Sequence, residues 1–200
     1  MGSARGTPTT LAIAVLGLLD ERPMHPYEMF QTLVSRGEDR LVKVRPGSLY
    51  HTVSRLADQK LVRADGVDRE GNRPERTTYR ITDEGREVLR TRIAEILRAP
   101  CPEYPEFLIG LAESHSLPAD QVAELLRERI AHLDATLAEL DSMIAVAETR
   151  ISARRYWLVL PYQRETVRAQ RAWLARMVDE LASGELEWEE FDPSSGEMTA

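Results

Sequence analysis

The chain has 200 residues, with 26 Lys+Arg against 33 Asp+Glu and a formal net charge of −7. Hydrophobic residues make up 42% and charged residues 30%, a balance that excludes a disordered polyelectrolyte and a fibrous repeat. The longest apolar run, Leu11 to Leu19, is too short to cross a bilayer, and no basic, apolar, small-residue leader opens the chain, so a cytoplasmic protein is expected.

The acidic total hides an asymmetry. Residues 1–92 hold 16 Lys+Arg and 13 Asp+Glu, a net of +3, whereas residues 93–200 hold 10 and 20, a net of −10. One half can therefore meet phosphates while the other stays soluble and repels them. The single cysteine, Cys101, has no intrachain partner for a disulfide. It lies in Ala-Pro-Cys-Pro without a basic neighbour to lower its pKa, so it reads as a linker thiol, with a redox-sensor role as the alternative.

Residues 1–8 are small and polar and read as disordered. From Thr9 a helix runs through Leu11, Ile13, Val15, Leu16, Leu18 and Leu19. It is apolar nearly all round, which predicts burial on more than one side. His25-Pro26 opens a second helix, Tyr27 to Arg36, with Met29, Phe30, Leu33 and Val34 inward and Gly37 closing it. A third helix is expected over Arg45 to Leu61. Pro46 and Ser48 suit its start, and Leu49, Val53, Leu56 and Lys60 follow at helical spacing. Its opposite face carries Ser48, His51, Ser54 and Arg55. Short hydrogen-bonding groups beside one guanidinium suit the edge of a DNA groove. The plainer reading is a solvated face of an ordinary amphipathic helix.

Leu61 to Asp68 and Glu75 to Thr82 read as two strands, joined by the turn-rich, basic tip Arg69-Glu-Gly-Asn-Arg-Pro74. A helix followed at once by such a hairpin is the outline of a winged helix-turn-helix. Thr82 then caps a fourth helix with Val88, Leu89, Ile93, Ile96 and Leu97. Ala99 to Pro105 holds three prolines and marks a stiff boundary.

Beyond it the chain is all helix. A short helix is expected over Glu106 to Ser114. A long one runs from near Pro118 to about Ser152. Its Leu126, Ile130, Leu133, Leu137, Leu140, Ile144, Ala147 and Ile151 alternate four and three apart. That is a heptad seam, and it needs an apolar partner helix. Pro161 begins a last helix, about Tyr162 to Ala182, carrying Trp173, Leu174, Met177 and Leu181, with Ser183-Gly184 stopping it. The acidic remainder reads as frayed.

No glycine-rich phosphate loop and no Gly-x-Ser-x-Gly elbow occurs, and the four histidines share no metal-ligand spacing. Neither an enzyme nor a cofactor is expected. The combination Pro46-Gly-Ser-Leu-Tyr50, Arg55-Leu56 and Tyr79-Arg-Ile-Thr-Asp-Glu-Gly85, supported by Leu16-Gly-Leu-Leu19 and His25-Pro-Tyr-Glu28, resembles the PadR-like transcriptional regulators. With its helical tail the chain resembles the long-tailed branch of that family from about Thr9 to Ala182.

The expected fold class is mostly α. A winged helix-turn-helix with a two-stranded wing precedes an all-helical dimerisation domain with a long coiled-coil-like helix. The expected division is a disordered 1–8, a DNA-binding domain at 9–98, a linker at 99–105, a helical dimerisation and effector domain at 106–183, and an acidic flexible tail at 184–200. The resemblance implies a homodimeric regulator, read as a repressor, that binds a palindromic double-stranded operator and is released by a small-molecule effector. DNA contact is expected through Tyr27, Arg45, Ser48, Tyr50, His51, Ser54 and Arg55, with Asn72, Arg73 and Arg76 on the wing. For Tyr27, core packing with a tethered hydroxyl is the competing reading. Dimerisation is expected through Leu126, Ile130, Leu133, Leu137, Leu140, Ile144 and Ile151 with Leu174 and Met177. Arg154, Arg155, Tyr156, Trp157, Tyr162 and Trp173 gather around the last helical reversal. They read either as core filling or as an effector site. The alternative function is a winged-helix protein-interaction module that no longer binds DNA.

Overall fold

The computed structural model describes residues 7–68, 76–151 and 153–188. Among these lie seven α-helices and one two-stranded antiparallel sheet. The chain divides into two compact units, Met1–Pro102 and Glu103–Ala200.

In the first unit α1 spans Thr10–Glu21, and the Thr9 hydroxyl caps it by accepting from Ala12 N at 3.3 Å. Leu11, Ala12, Val15, Leu16, Leu18 and Leu19 are all buried. That is more than one stripe of the helix, as its composition predicts. Helix α2 spans Pro26–Ser35, with Pro26 in the first turn, where a missing N–H is no loss. Gly37 follows at φ 70, a left-handed position that suits glycine. Met29 and Leu33 are fully buried and Phe30 half-buried, but Val34, expected inward, is 45% exposed. It lies one residue, about 100° of helical turn, past the Met29–Leu33 line.

A 3-10 turn at Glu38–Arg40 leads to α3, Pro46–Asp58. Leu49, Val53 and Leu56 pack into the core. The helix stops short of the expected Leu61. Lys60 adopts φ 61, and Leu61 N reaches back to Leu56 O at 2.9 Å. This left-handed closure ends the helix and turns Leu61 and Val62 into the core, each 2% exposed. Lys60 is thus a helix terminator and not a member of the apolar stripe.

Strands β1, Val62–Asp68, and β2, Arg76–Ile81, pair antiparallel with Val62 opposite Ile81 and Arg63 opposite Arg80. A bulge at Ala64/Gly66 breaks the register. The outer edge of β2 is partly covered, because Met24 and Tyr79 exchange two backbone hydrogen bonds of 3.0 Å. Covering an edge in this way blunts strand addition by another chain. Helix α4, Asp83–Arg98, starts at a dense junction. The Thr82 hydroxyl accepts from Gly85 N at 3.0 Å and lies 2.9 Å from Lys60 O. Leu89 of α4 is buried, while Ile93, Ile96 and Leu97 are exposed.

The second unit is helical. Helix α5, Glu106–Ala112, ends two residues before the expected Ser114. The hydroxyls of Ser114 and Ser116 donate to Leu111 O and Glu113 O and hold a 3-10 turn instead. Helix α6 spans Ala119–Arg150 and α7 spans Val159–Ser183. Their seam is intramolecular. Leu126 packs with Leu174, Val178 and Leu181, and Ile144 and Ala147 pack with Trp157. Ion pairs Arg171–Asp134 at 2.9 Å and Arg164–Asp141 at 3.4 Å flank it. Helix α7 begins at Val159, ahead of the expected Pro161, whose ring fits a first turn. Gly184 closes it at φ 75.

The expected fraying from residue 184 does not begin there. The Trp188 indole donates to Leu117 O at 2.9 Å, and Leu186 and Trp188 pack against the α6–α7 cluster. An amphipathic indole with its N–H satisfied is enough to hold this short return. The expectations for residues 1–6, for the wing tip at 69–75 and for the tail from 189 fall outside the described residues.

Candidate nucleic-acid interface

The first turn of α3 is locked by local chemistry. Arg45 N donates to Ser48 Oγ at 3.3 Å, and the Ser48 hydroxyl donates to Arg45 O at 2.9 Å. One turn on, the buried Thr52 hydroxyl donates to Ser48 O at 2.8 Å, so no polar group is stranded under the helix. Leu49, Val53 and Leu56 anchor the inner face. The outer face then presents Ser48, Tyr50, His51, Ser54 and Arg55, all exposed, with Arg45 exposed at its head. Six of the expected contact residues therefore share one helix and its entry. Ser48 has a second task that the sequence reading did not assign, since its proton is committed to Arg45 O.

Tyr27, on α2, is 47% exposed, which speaks against the competing core reading. Its position depends on His25, whose Nδ1 accepts from Tyr27 N at 3.1 Å and caps α2. The same ring meets Tyr50 edge-on, with centroids 6.0 Å apart. His25 thus links Tyr27 to Tyr50, a role the sequence reading missed. The signal was present as His-Pro-Tyr at a helix start, where an imidazole can act as cap. Arg55 is steered as well. One of its guanidinium nitrogens donates to Thr9 Oγ1 at 3.4 Å, which ties the end of the polar face to the cap of α1.

On the wing the bulge places Asp65 beside Arg80, at 2.8 Å. The hydrogen bond from Arg80, then its charge, hold the Asp65 carboxyl below the ordinary range. Arg63, opposite Arg80 in the register, is exposed and in no ion pair among the described residues. It adds a cation that the sequence reading left out. Asn72 and Arg73 lie outside the described residues. Arg76 is placed by its backbone pairing with Asp68.

The other expected sites lie in the second unit. Of the proposed dimer residues, Leu126, Leu140, Ile144 and Leu174 are buried within a single chain. Ile130, Leu133, Leu137 and Met177 are half-buried, and Ile151 is exposed at the end of α6. The partner that the heptad seam requires is therefore α7 of the same chain. The aromatic group at the reversal does not converge. Trp157 fills the core with Ile144 and Ala147, whereas Tyr156 and Tyr162 are exposed and Trp173 is 43% exposed. Arg154 is exposed, and Arg155 lies over the Tyr156 ring, its guanidinium donating to that hydroxyl at 3.2 Å. Among the described residues no group of His, Cys, Asp and Glu is placed to hold a metal ion, and no helix is long and apolar enough to cross a membrane.

Residues 15–91 match the model of the transcriptional regulator PadR-like family. No curated protein matches the chain. Among solved structures, the chain is similar to Bacillus subtilis PadR in complex with operator DNA, with a TM-score of 0.72 and 20% identity. That match covers 86% of this chain and 99% of the other. Bacillus subtilis PadR in complex with p-coumaric acid matches with a TM-score of 0.70 and 19% identity over 87% and 99% of the two chains. The PadR-like regulator BC1756 from Bacillus cereus matches at 0.61 and 19%, over 88% and 99%. At such identities the likeness is one of fold. The family is one of transcriptional regulators and not of enzymes. Over residues 15–91, the chain carries a domain of the PadR-like transcriptional regulator family.

Proposed function

We propose that the protein is a homodimeric, sequence-specific binder of double-stranded DNA that represses transcription in the cytoplasm until a small molecule releases it. One observation carries the reading. Helix α3 is anchored by Leu49, Val53 and Leu56 and turns a short-chained polar face with two arginines to solvent. The major groove admits a helix of this kind, and arginine reads guanine there through two hydrogen bonds. In this reading Arg55 reads a base, Tyr50, His51 and Ser54 contact base edges or phosphate, and Tyr27 and Arg45 hold the backbone. Asn72, Arg73 and Arg76 are assigned to the wing contact. The operator complex of the similar Bacillus subtilis protein supports the DNA reading, and its p-coumaric acid complex supports an aromatic acid as effector class. Arg154, Arg155, Tyr156, Tyr162 and Trp173 are the first residues to test for effector contact, while Trp157 is assigned to the core.

A two-fold dimer would set two α3 helices about 34 Å apart, matching a palindrome with one turn between half-sites. The test is a gel-shift titration against selected operator and unrelated duplex over a range of salt. Affinity should fall steeply with salt, as counterions are released. Arg55→Ala should lose about 1–3 kcal/mol of preference for the operator while keeping most non-specific binding. No shift of any duplex at low salt would overturn the proposal in favour of a protein-interaction module.

A further inference from the structure

Arg55 ends the line of the α3 outer face that runs through Ser48 and His51. An exposed arginine samples many rotamers, and ordering it at an interface costs affinity. Two features narrow that range here. Asp58 lies one turn on, exposed and at ion-pair spacing, yet Arg55 joins no ion pair among the described residues. Its guanidinium turns instead to α1, where one nitrogen donates to Thr9 Oγ1 at 3.4 Å. The acceptor is itself fixed. The same oxygen accepts from Ala12 N at 3.3 Å, and Thr9 O accepts from Ile13 N at 3.0 Å. The branched side chain is also stiff. Leu11, Ala12 and Val15 bury α1 in one core with Leu49, Val53 and Leu56, so Thr9 keeps its place relative to α3.

We propose that Thr9 is a positioning residue for Arg55. Its hydroxyl draws the guanidinium toward α1 and away from Asp58, and so sharpens the preference for operator DNA. The inference rests on the DNA-binding reading above, in which Arg55 reads a base. The tether suits that task in three ways. It is neutral, so the positive charge stays whole for DNA, as it would not beside a carboxylate. It engages a single N–H of the five that a guanidinium carries. Whichever hydrogen of that nitrogen is engaged, the other still forms a complete two-donor edge with a neighbouring nitrogen, and that edge is what guanine O6 and N7 require. At 3.4 Å the bond is also long, so it biases the side chain without holding it against a better acceptor. Thr9 acts before contact, by removing rotamers in the free protein. Its effect therefore falls on sequence preference, while phosphate contacts made by other residues are untouched.

The experiment measures the affinity of the full chain for labelled operator and for unrelated duplex by fluorescence anisotropy, with circular dichroism confirming each fold. Glycine caps a helix nearly as well as threonine, so Thr9→Gly removes the tether and spares α1. Its operator preference should fall about two- to tenfold, because the ordering of one long side chain must now be met on binding. Affinity for unrelated duplex should hold. Thr9→Ser keeps the oxygen and should keep the preference. Adding Thr9→Gly to Arg55→Ala should change the preference no further, a result that a role confined to the stability of α1 would not produce. The inference is overturned by a Thr9→Gly preference within about twofold of wild type. It is equally overturned if Thr9→Ser loses as much, or if the loss persists in full without Arg55. Those outcomes leave the DNA reading standing. An unchanged preference in Arg55→Ala would remove Arg55 as the reader and this inference with it. A wild type that binds no duplex would remove the DNA reading as a whole.

Discussion

Replacing Gly85 by alanine tests the junction on which the wing and α3 are hung. A Cβ at this position would lie 2.1 Å from Leu61 O and 2.8 Å from Cγ1 of Ile81. The first neighbour is backbone, held in the closure after α3, so α4 must move back by roughly 1 Å to regain ordinary contact. Overpacking of this kind costs about 1–3 kcal/mol. The movement also stretches the 3.0 Å bond from Gly85 N to the Thr82 hydroxyl, and losing an N-cap costs about 1 kcal/mol more. A total of about 2–4 kcal/mol follows, a large share of the ~5–15 kcal/mol that holds a domain together. At about 4–8 °C per kcal/mol for a domain of this size, the midpoint should fall by roughly 10–30 °C. The assay can assign the loss to one unit, because Trp157, Trp173 and Trp188 all lie in the second. Far-UV circular dichroism should gain an early transition while the tryptophan fluorescence transition stays in place. Gly17→Ala is the control. Nothing lies within 4 Å of its added Cβ in the middle of α1, so it should stabilise by about 0.5–1 kcal/mol. An alanine at position 85 that melts within about 0.5 kcal/mol of wild type would refute the steric argument.

Leu140→Ala should open a cavity under α7 and destabilise the second unit by about 2–5 kcal/mol, read from the tryptophan transition in urea. If it instead yields stable monomers at unchanged stability, Leu140 belongs to a subunit interface. Acid stability should depend on Glu21, which accepts from Arg36 at 2.6 and 2.7 Å, and that hydrogen bond is the main reason its pKa is lowered. A depressed folded pKa means stability that is present above the unfolded value and lost as pH falls through the folded one. Both side chains are over 40% exposed, so the contribution is at most about 1 kcal/mol. Between pH 7 and pH 3 wild type should lose up to that much more than Glu21→Gln in urea titrations by circular dichroism, and equal losses would show the pair to be inert.

Local chemistry alone determines much of this molecule. A helix start at Thr9, Thr82 as a helix cap, Gly37 and Gly184 as stops, and the strands flanking the wing follow from short-range rules that act within four or five residues. The inner and outer faces of α3 were legible for the same reason, since a 3.6-residue period separates Leu49, Val53 and Leu56 from Ser48, His51 and Arg55 on geometry alone. Contacts distant in sequence decided the rest. Lys60 gave no sign that it would turn left-handed, because what draws Leu61 and Val62 inward is a core assembled from other elements. His25 looked like a helix opener, and only the approach of α3 makes it the link between Tyr27 and Tyr50. The heptad seam of α6 announced that it needed a partner, but periodicity is silent on whether that partner belongs to the same chain. The hairpin with α7 settles it. Trp188 makes the same point at the chain end, where an acidic stretch reads as loose until its indole finds the carbonyl of Leu117 seventy-one residues away. Burial rewards whichever apolar groups the tertiary arrangement brings together, and that arrangement is a property of the whole chain.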